Sequence, residues 1–140
     1  MTVAVDTNIL FDILLPDPKY LERSLAQITL YGARHKLIIS EVVYGELASQ
    51  FTDKETLAEF ISSTDIQLVN SGFEALWAAS RAWREYTKIR SGEFQCVNCG
   101  NRQTLISDFL IGGHALIYAN TLLTRDRGFY QRYFPELRLA

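Results

Sequence analysis

Four short apolar runs, Val3–Val5, Leu37–Ile39, Ile66–Val69 and Leu122–Thr124, are spaced along the chain with helical patterns in every interval. Strands separated in this way cannot be joined by hairpins, so they pair in parallel and need helices over both faces of the sheet. The spacing predicts helices over 9–15, 20–33, 41–51, 56–62, 73–89 and 105–118, with one helical turn at 128–134. Asp6-Thr7-Asn8 and Ser40 supply helix caps, and Pro16-Asp17-Pro18 supplies a stop. Leu137–Leu139 reads as a last edge strand. The expectation is an α/β fold in three layers, α/β/α, with a mostly parallel sheet of four to five strands.

At 140 residues the chain suits one domain, 1–140, with no internal repeat and no linker. No run approaches the ~20 apolar residues that span a bilayer, and the start lacks a basic region and cleavage site. A cytoplasmic protein with no membrane partner is expected. Hydrophobic residues at 48% and charged residues at 21% exclude disorder. A formal charge of −2 argues against a protein held on nucleic acid by bulk positive charge. That argument weakens if four acids gather in one site, because the remainder of the chain is then positive.

Asp6 and Asp126 fall just beyond the first and fourth strands, at the end of a parallel sheet where ligands bind. Taken singly, each is explained as a helix cap or turn residue. Glu46 is harder to explain, because it shares a helix face with Val42 and Val43, where an unpaired carboxylate is costly. Glu41, in the first turn of the same helix, is accounted for by the helix dipole. Asp108 also suits a helix start, capped by Ser107 or Thr104, but Gly112 one turn on weakens that helix and implies close packing. At an effective dielectric of 20, two like charges 4 Å apart cost about 4 kcal/mol. Four converging acids would therefore need shifted pKa values or a cation, and hard oxygen ligands select Mg²⁺ or Mn²⁺. Spacing alone leaves their convergence open.

The chain resembles the PIN-domain ribonucleases, and within them the VapC-type toxins. The resemblance is carried by Val5-Asp6-Thr7-Asn8, by Glu46 in Val43-Tyr44-Gly45-Glu46-Leu47, by Asp108 in Asp108-Phe109-Leu110-Ile111-Gly112-Gly113-His114-Ala115, and by Asp126 in Leu123-Thr124-Arg125-Asp126. It spans nearly the whole chain in the family's order. It implies a PIN-like fold whose acidic cluster is Asp6, Glu46, Asp108 and Asp126, with Asp6 and Asp108 foremost as metal ligands. Thr7, Asn8 and Thr124 are then supporting polar groups. The resemblance further implies Mg²⁺- or Mn²⁺-dependent RNA cleavage, a homodimer, and neutralisation by an antitoxin covering the active site. A PIN nuclease of RNA maturation, or a silent binding module on the same fold, is the alternative. A DxD phosphatase is excluded because Asn8 stands where its second Asp is needed, and a receiver domain because Asn70-Ser71-Gly72 follows strand three.

The polar stretch 91–104 departs from simpler family members and carries Cys96 and Cys99, with the spacing of half a zinc ribbon. The chain has no second pair. Either a dimer shares a structural Zn²⁺ between four cysteines, or the two are free thiols on a tight turn. Arg102, Arg125 and Arg127 flank the acids in sequence and are candidates for RNA phosphate contact, while Arg81, Arg84 and Lys88 read as a solvated helix face. Trp77, Trp83 and Tyr86 are expected in the core.

Overall fold

Val3 pairs with Leu37 on one side and with Thr121 on the other, and all three registers through this region run parallel. The computed structural model describes residues 1–91 and 106–140. The strands are β1 (Thr2–Val5), β2 (Lys36–Ile39), β3 (Ile66–Leu68) and β4 (Thr121–Leu123), in the order β3-β2-β1-β4. Helices α1 (Thr7–Leu14) and α2 (Leu21–Gly32) connect β1 to β2; α3 (Glu41–Ala48) and α4 (Lys54–Thr64) connect β2 to β3. Helices α5 (Phe73–Ser91) and α6 (Ile106–Tyr118) precede β4, and α7 (Arg127–Tyr133) follows it. The sheet is wholly parallel, and the arrangement is the expected three-layer α/β/α form. The fifth strand shrinks to one bridge, Leu122 to Leu139, held by Leu122 N to Arg138 O at 2.8 Å and Ala140 N to Leu122 O at 2.9 Å.

Local chemistry sets the element ends. Ser40 Oγ accepts from Val43 N at 3.3 Å and caps α3 as the sequence suggests. Helix α4 starts two residues earlier than its apolar pattern, because Asp53 accepts from both Thr56 N and Thr56 Oγ1 at 2.8 Å. It ends on Asp65 at φ 54°, a left-handed position that Asp tolerates.

The core lies between the central strands and their helices, with Val3, Val5, Ile38, Ile39, Leu122 and Leu123 almost fully enclosed. Behind it, Trp83, Tyr86, Phe129 and Tyr133 pack round Phe109 at ring separations of 5.0–5.4 Å. Trp77 departs from expectation: among the described residues it is 63% exposed, with Arg81 4.0 Å above its ring. The double glycine of α6 has a spatial reason. A Cβ on Gly113 would stand 2.4 Å from Ala75 O of α5, and one on Gly112 would enter the Phe134 ring. No helix among the described residues is long and apolar enough to cross a membrane.

The chain leaves β1 toward β2 and β3 on one side and returns to β4 on the other. The crevice beyond the carboxyl ends of β1 and β4 is thus the switch point of the sheet, the place where open α/β sheets bind ligands.

Candidate acidic active site

Asp6 follows β1 directly, and its N–H continues the sheet by donating to Leu123 O at 3.0 Å. Its carboxylate is only 4% exposed and is held by three donors. Oδ1 accepts from Thr7 N at 2.7 Å, while Oδ2 accepts from Thr124 Oγ1 at 2.7 Å and from Asn8 Nδ2 at 3.0 Å. Burial nonetheless pushes the Asp6 pKa up from 3.8 to about 6; the donors from Thr124 and Thr7 oppose the rise, and the Glu46 charge adds to it. Thr124 Oγ1 also accepts from Asp126 N at 3.0 Å, and Asn8 Oδ1 from Arg125 N at 3.2 Å. The three polar residues named beside the acids therefore knit the ends of β1 and β4 into one frame.

Four elements bring the acids to one cleft of about 350 Å³ lined by Asp6, Glu46, Asp108 and Asp126 with Thr7 and Asn8. Glu46 comes from α3 and accepts from Thr7 Oγ1 at its Oε2. Asp108 sits in the first turn of α6, and Asp126 at the start of α7, where its side chain makes no capping hydrogen bond. Glu41 stays apart, accepting from Ser71 N and Oγ at 3.1 and 3.0 Å. Among the described residues no three His, Cys, Asp or Glu side chains close into a metal cage. The acids line an open cleft, a form that suits an ion bound through one or two carboxylates while it keeps several waters.

The basic candidates divide. Arg125 turns its guanidinium inward to the buried Asp12 and is committed to the fold; it does not face the cleft as a phosphate contact would. Arg127 is exposed and donates from Nη1 to Ala140 O at 3.0 Å. Arg102, Cys96 and Cys99 lie outside the described residues, and with them the expectation of either a dimer-shared zinc site or two free thiols. His114 is buried on α6 and bonded through Nε2 to Val69 O at 2.7 Å; burial lowers its pKa.

Four neighbours of the cleft escape the sequence reading. Phe11, Ser49 and Gln50 form part of its wall. Tyr130 on α7 is 1% exposed, and burial together with the Asp6 and Asp108 charges raises its pKa, so the hydroxyl stays protonated. A signal for it existed: it lies four residues past Asp126, on the same face of a helix.

A family model for the PIN domain matches residues 3–135. No curated protein sequence matches the chain at a significant level. Among solved structures, the chain is similar to one from VapBC2 of Rickettsia felis bound to a promoter DNA fragment, with 20% identity, coverage of 100% of this chain and 98% of that one, and a TM-score of 0.68. It is also similar to a chain of VapBC-1 from nontypeable Haemophilus influenzae, with 17% identity, coverage of 100% and 97%, and a TM-score of 0.64. A third is from DNA-bound VapBC of Salmonella typhimurium, with 16% identity, coverage of 100% and 97%, and a TM-score of 0.63. At these identities the likeness is one of fold.

Proposed function

The chain belongs to the PIN-domain family, and from that premise we propose that it is a divalent-metal-dependent endoribonuclease, the VapC-type toxin of a toxin–antitoxin pair. PIN domains are in general nucleases that use divalent cations. The observation that carries the reading is the meeting of Asp6, Glu46, Asp108 and Asp126, from four separate elements, in one cleft at the switch point of the sheet. Asp6 and Asp126 stand at the cap positions of α1 and α7, which a parallel sheet brings to one end, but capping gives no reason for Glu46, inside α3, to join them.

The donor set fits the implied ion. It is all oxygen, which favours Mg²⁺ or Mn²⁺ over zinc, and a buried carboxylate beside a second one is stabilised by an added positive charge. Asp6 and Asp108 would hold the ion first, with Glu46 and Asp126 completing the site. When bound, such an ion activates water and offsets the charge that builds on a phosphodiester under attack. The chain's own contribution is orientation: Thr124, Asn8 and Thr7 N fix the Asp6 carboxylate, and Thr7 Oγ1 fixes Glu46. RNA is the substrate in this reading, with Arg127 and Arg102 as phosphate contacts. An antitoxin and a second copy of the chain are the protein partners; the similar VapBC assemblies support the antitoxin.

The test is cleavage of total cellular RNA by the purified protein with Mg²⁺ or Mn²⁺. Discrete fragments that vanish with EDTA, with Asp6→Asn and with Asp108→Asn are expected. A folded protein that cuts no RNA with either metal would overturn the nuclease and move the weight to a binding module.

A further inference from the structure

Among the described residues at the acid cleft, Tyr130 carries a polar atom whose place the folding of the chain does not explain. Its ring is set by packing, 4.9 Å edge-on from Phe129 and 6.2 Å from Phe134, and a phenylalanine would fill that seat equally well. Its Oη is buried and meets no partner at full hydrogen-bond geometry, yet it lies near enough to the Asp6 carboxylate to act on it as a donor. An orphaned buried hydroxyl costs free energy that a phenyl ring would not. The surrounding charges are those of the cleft: Asp6 acts on it most strongly, followed by Asp108 and Asp126. A group this enclosed cannot touch a substrate, so any role it has runs through the acids.

We propose that Tyr130 is a positioning residue of the acid cleft, whose hydroxyl donates to the Asp6 carboxylate when a divalent ion is bound and keeps that carboxylate turned toward the ion. The inference rests on the reading of the cleft as a divalent-cation site. Asp6 is pinned by donors from α1 and from the end of β4, and Tyr130 adds a donor from α7, a helix that begins with another cleft acid, Asp126, at its cap position. The hydroxyl thereby links the placement of Asp6 to that of α7. Partners of metal-binding carboxylates that act in this way change metal affinity by about 10–100-fold when removed.

The experiment is Mn²⁺ binding by calorimetry on the full chain, beside thermal melting in EDTA. Tyr130→Phe is expected to bind Mn²⁺ about tenfold more weakly, while its metal-free melting temperature equals or exceeds that of the wild type. Phe134→Leu disturbs the same aromatic seat without touching the hydroxyl, and is expected to keep Mn²⁺ affinity within about twofold. Unchanged or tighter binding by Tyr130→Phe overturns the proposal, as does an equal loss in Phe134→Leu, which would assign the effect to packing. Asp6→Asn separates the underlying reading: if it binds Mn²⁺ as the wild type does, or the wild type binds none, the cation site itself fails and the inference falls with it.

Discussion

Arg125 and Asp12 form a two-point ion pair, with Nε donating to Oδ2 and Nη2 to Oδ1, both at 2.8 Å. Asp12 is 2% exposed and takes a further bond from Ser24 Oγ at 2.6 Å, while the guanidinium lies 4.0 Å over the Tyr20 ring. The pair joins α1, the start of α2 and the turn after β4, the same turn that delivers Thr124 and Asp126 to the cleft.

Arg125→Ala should therefore act on the fold and not on RNA. It leaves the buried Asp12 carboxylate without its cation; because the guanidinium is partly exposed, water replaces part of what is lost and the cost should be about 1–3 kcal/mol. Urea unfolding should show that loss, and adding Asp12→Asn in the same chain should restore part of it by removing the stranded charge. A variant that unfolds at the wild-type midpoint but loses RNA affinity would return Arg125 to the role of phosphate contact.

Gly113 sets the distance between α5 and α6. A Cβ there meets the backbone of α5, at 2.4 Å from Ala75 O and 2.7 Å from Ala79 N, and backbone cannot swing aside. Gly113→Ala should lose about 1–3 kcal/mol, the usual range for overpacking. Gly45, in α3, has open space where its Cβ would be. There the helix propensity of alanine should add up to about 1 kcal/mol. Denaturation midpoints moving in the same direction for the two variants would contradict the packing geometry.

Much of this was legible in the residues. Apolar runs such as Leu37–Ile39 read as buried strands, and Ser40 announced the helix behind them; Asp6 and Asp126 fell at strand ends, Asp108 at a helix start, and Glu46 on an inward helix face, where burial demands a reason. Position along the chain does not reveal direction in space, however. Arg125 adjoins Asp126 in sequence, yet its side chain runs away from the cleft because Asp12 draws it inward. Asp12 sits within an apolar helical run, as Glu46 does, and the same burial argument applied to it would have supplied the partner. The exposure of Trp77 was not legible, since an aromatic at helical spacing looks alike on a buried face and on an open one. Tyr130 was hidden for a related reason: its ring belongs to the core and only its oxygen bears on the acids.

Thr7 Oγ1 donates to the Glu46 carboxylate, so Thr7→Val should release Glu46 with little change of volume. RNA cleavage is expected to fall about 10–100-fold, the range seen when a ligand's supporting bond is removed, and Thr7→Ser should recover most of it. Cleavage by Thr7→Val at the wild-type rate would show that the orientation of Glu46 does not matter to the reaction.

Asp6 makes the metal-free protein sensitive to pH. Its pKa is about 6 in the folded state against 3.8 for an ordinary Asp, so between those values the folded chain keeps a proton that the unfolded chain has released. Stability contributed by this group therefore falls as pH rises through that window and levels off above about 6. The shift corresponds to roughly 3 kcal/mol. Melting in EDTA at pH 4.5 to 7.5, with Asp6→Asn as the reference, isolates it: Asp6→Asn should gain over the wild type as the pH rises, and Mn²⁺ at pH 7 should close the gap by stabilising the wild type alone. Parallel profiles for the two proteins would mean that Asp6 is ionised in the folded chain across the whole range, and that the cleft already accommodates its charge without a cation.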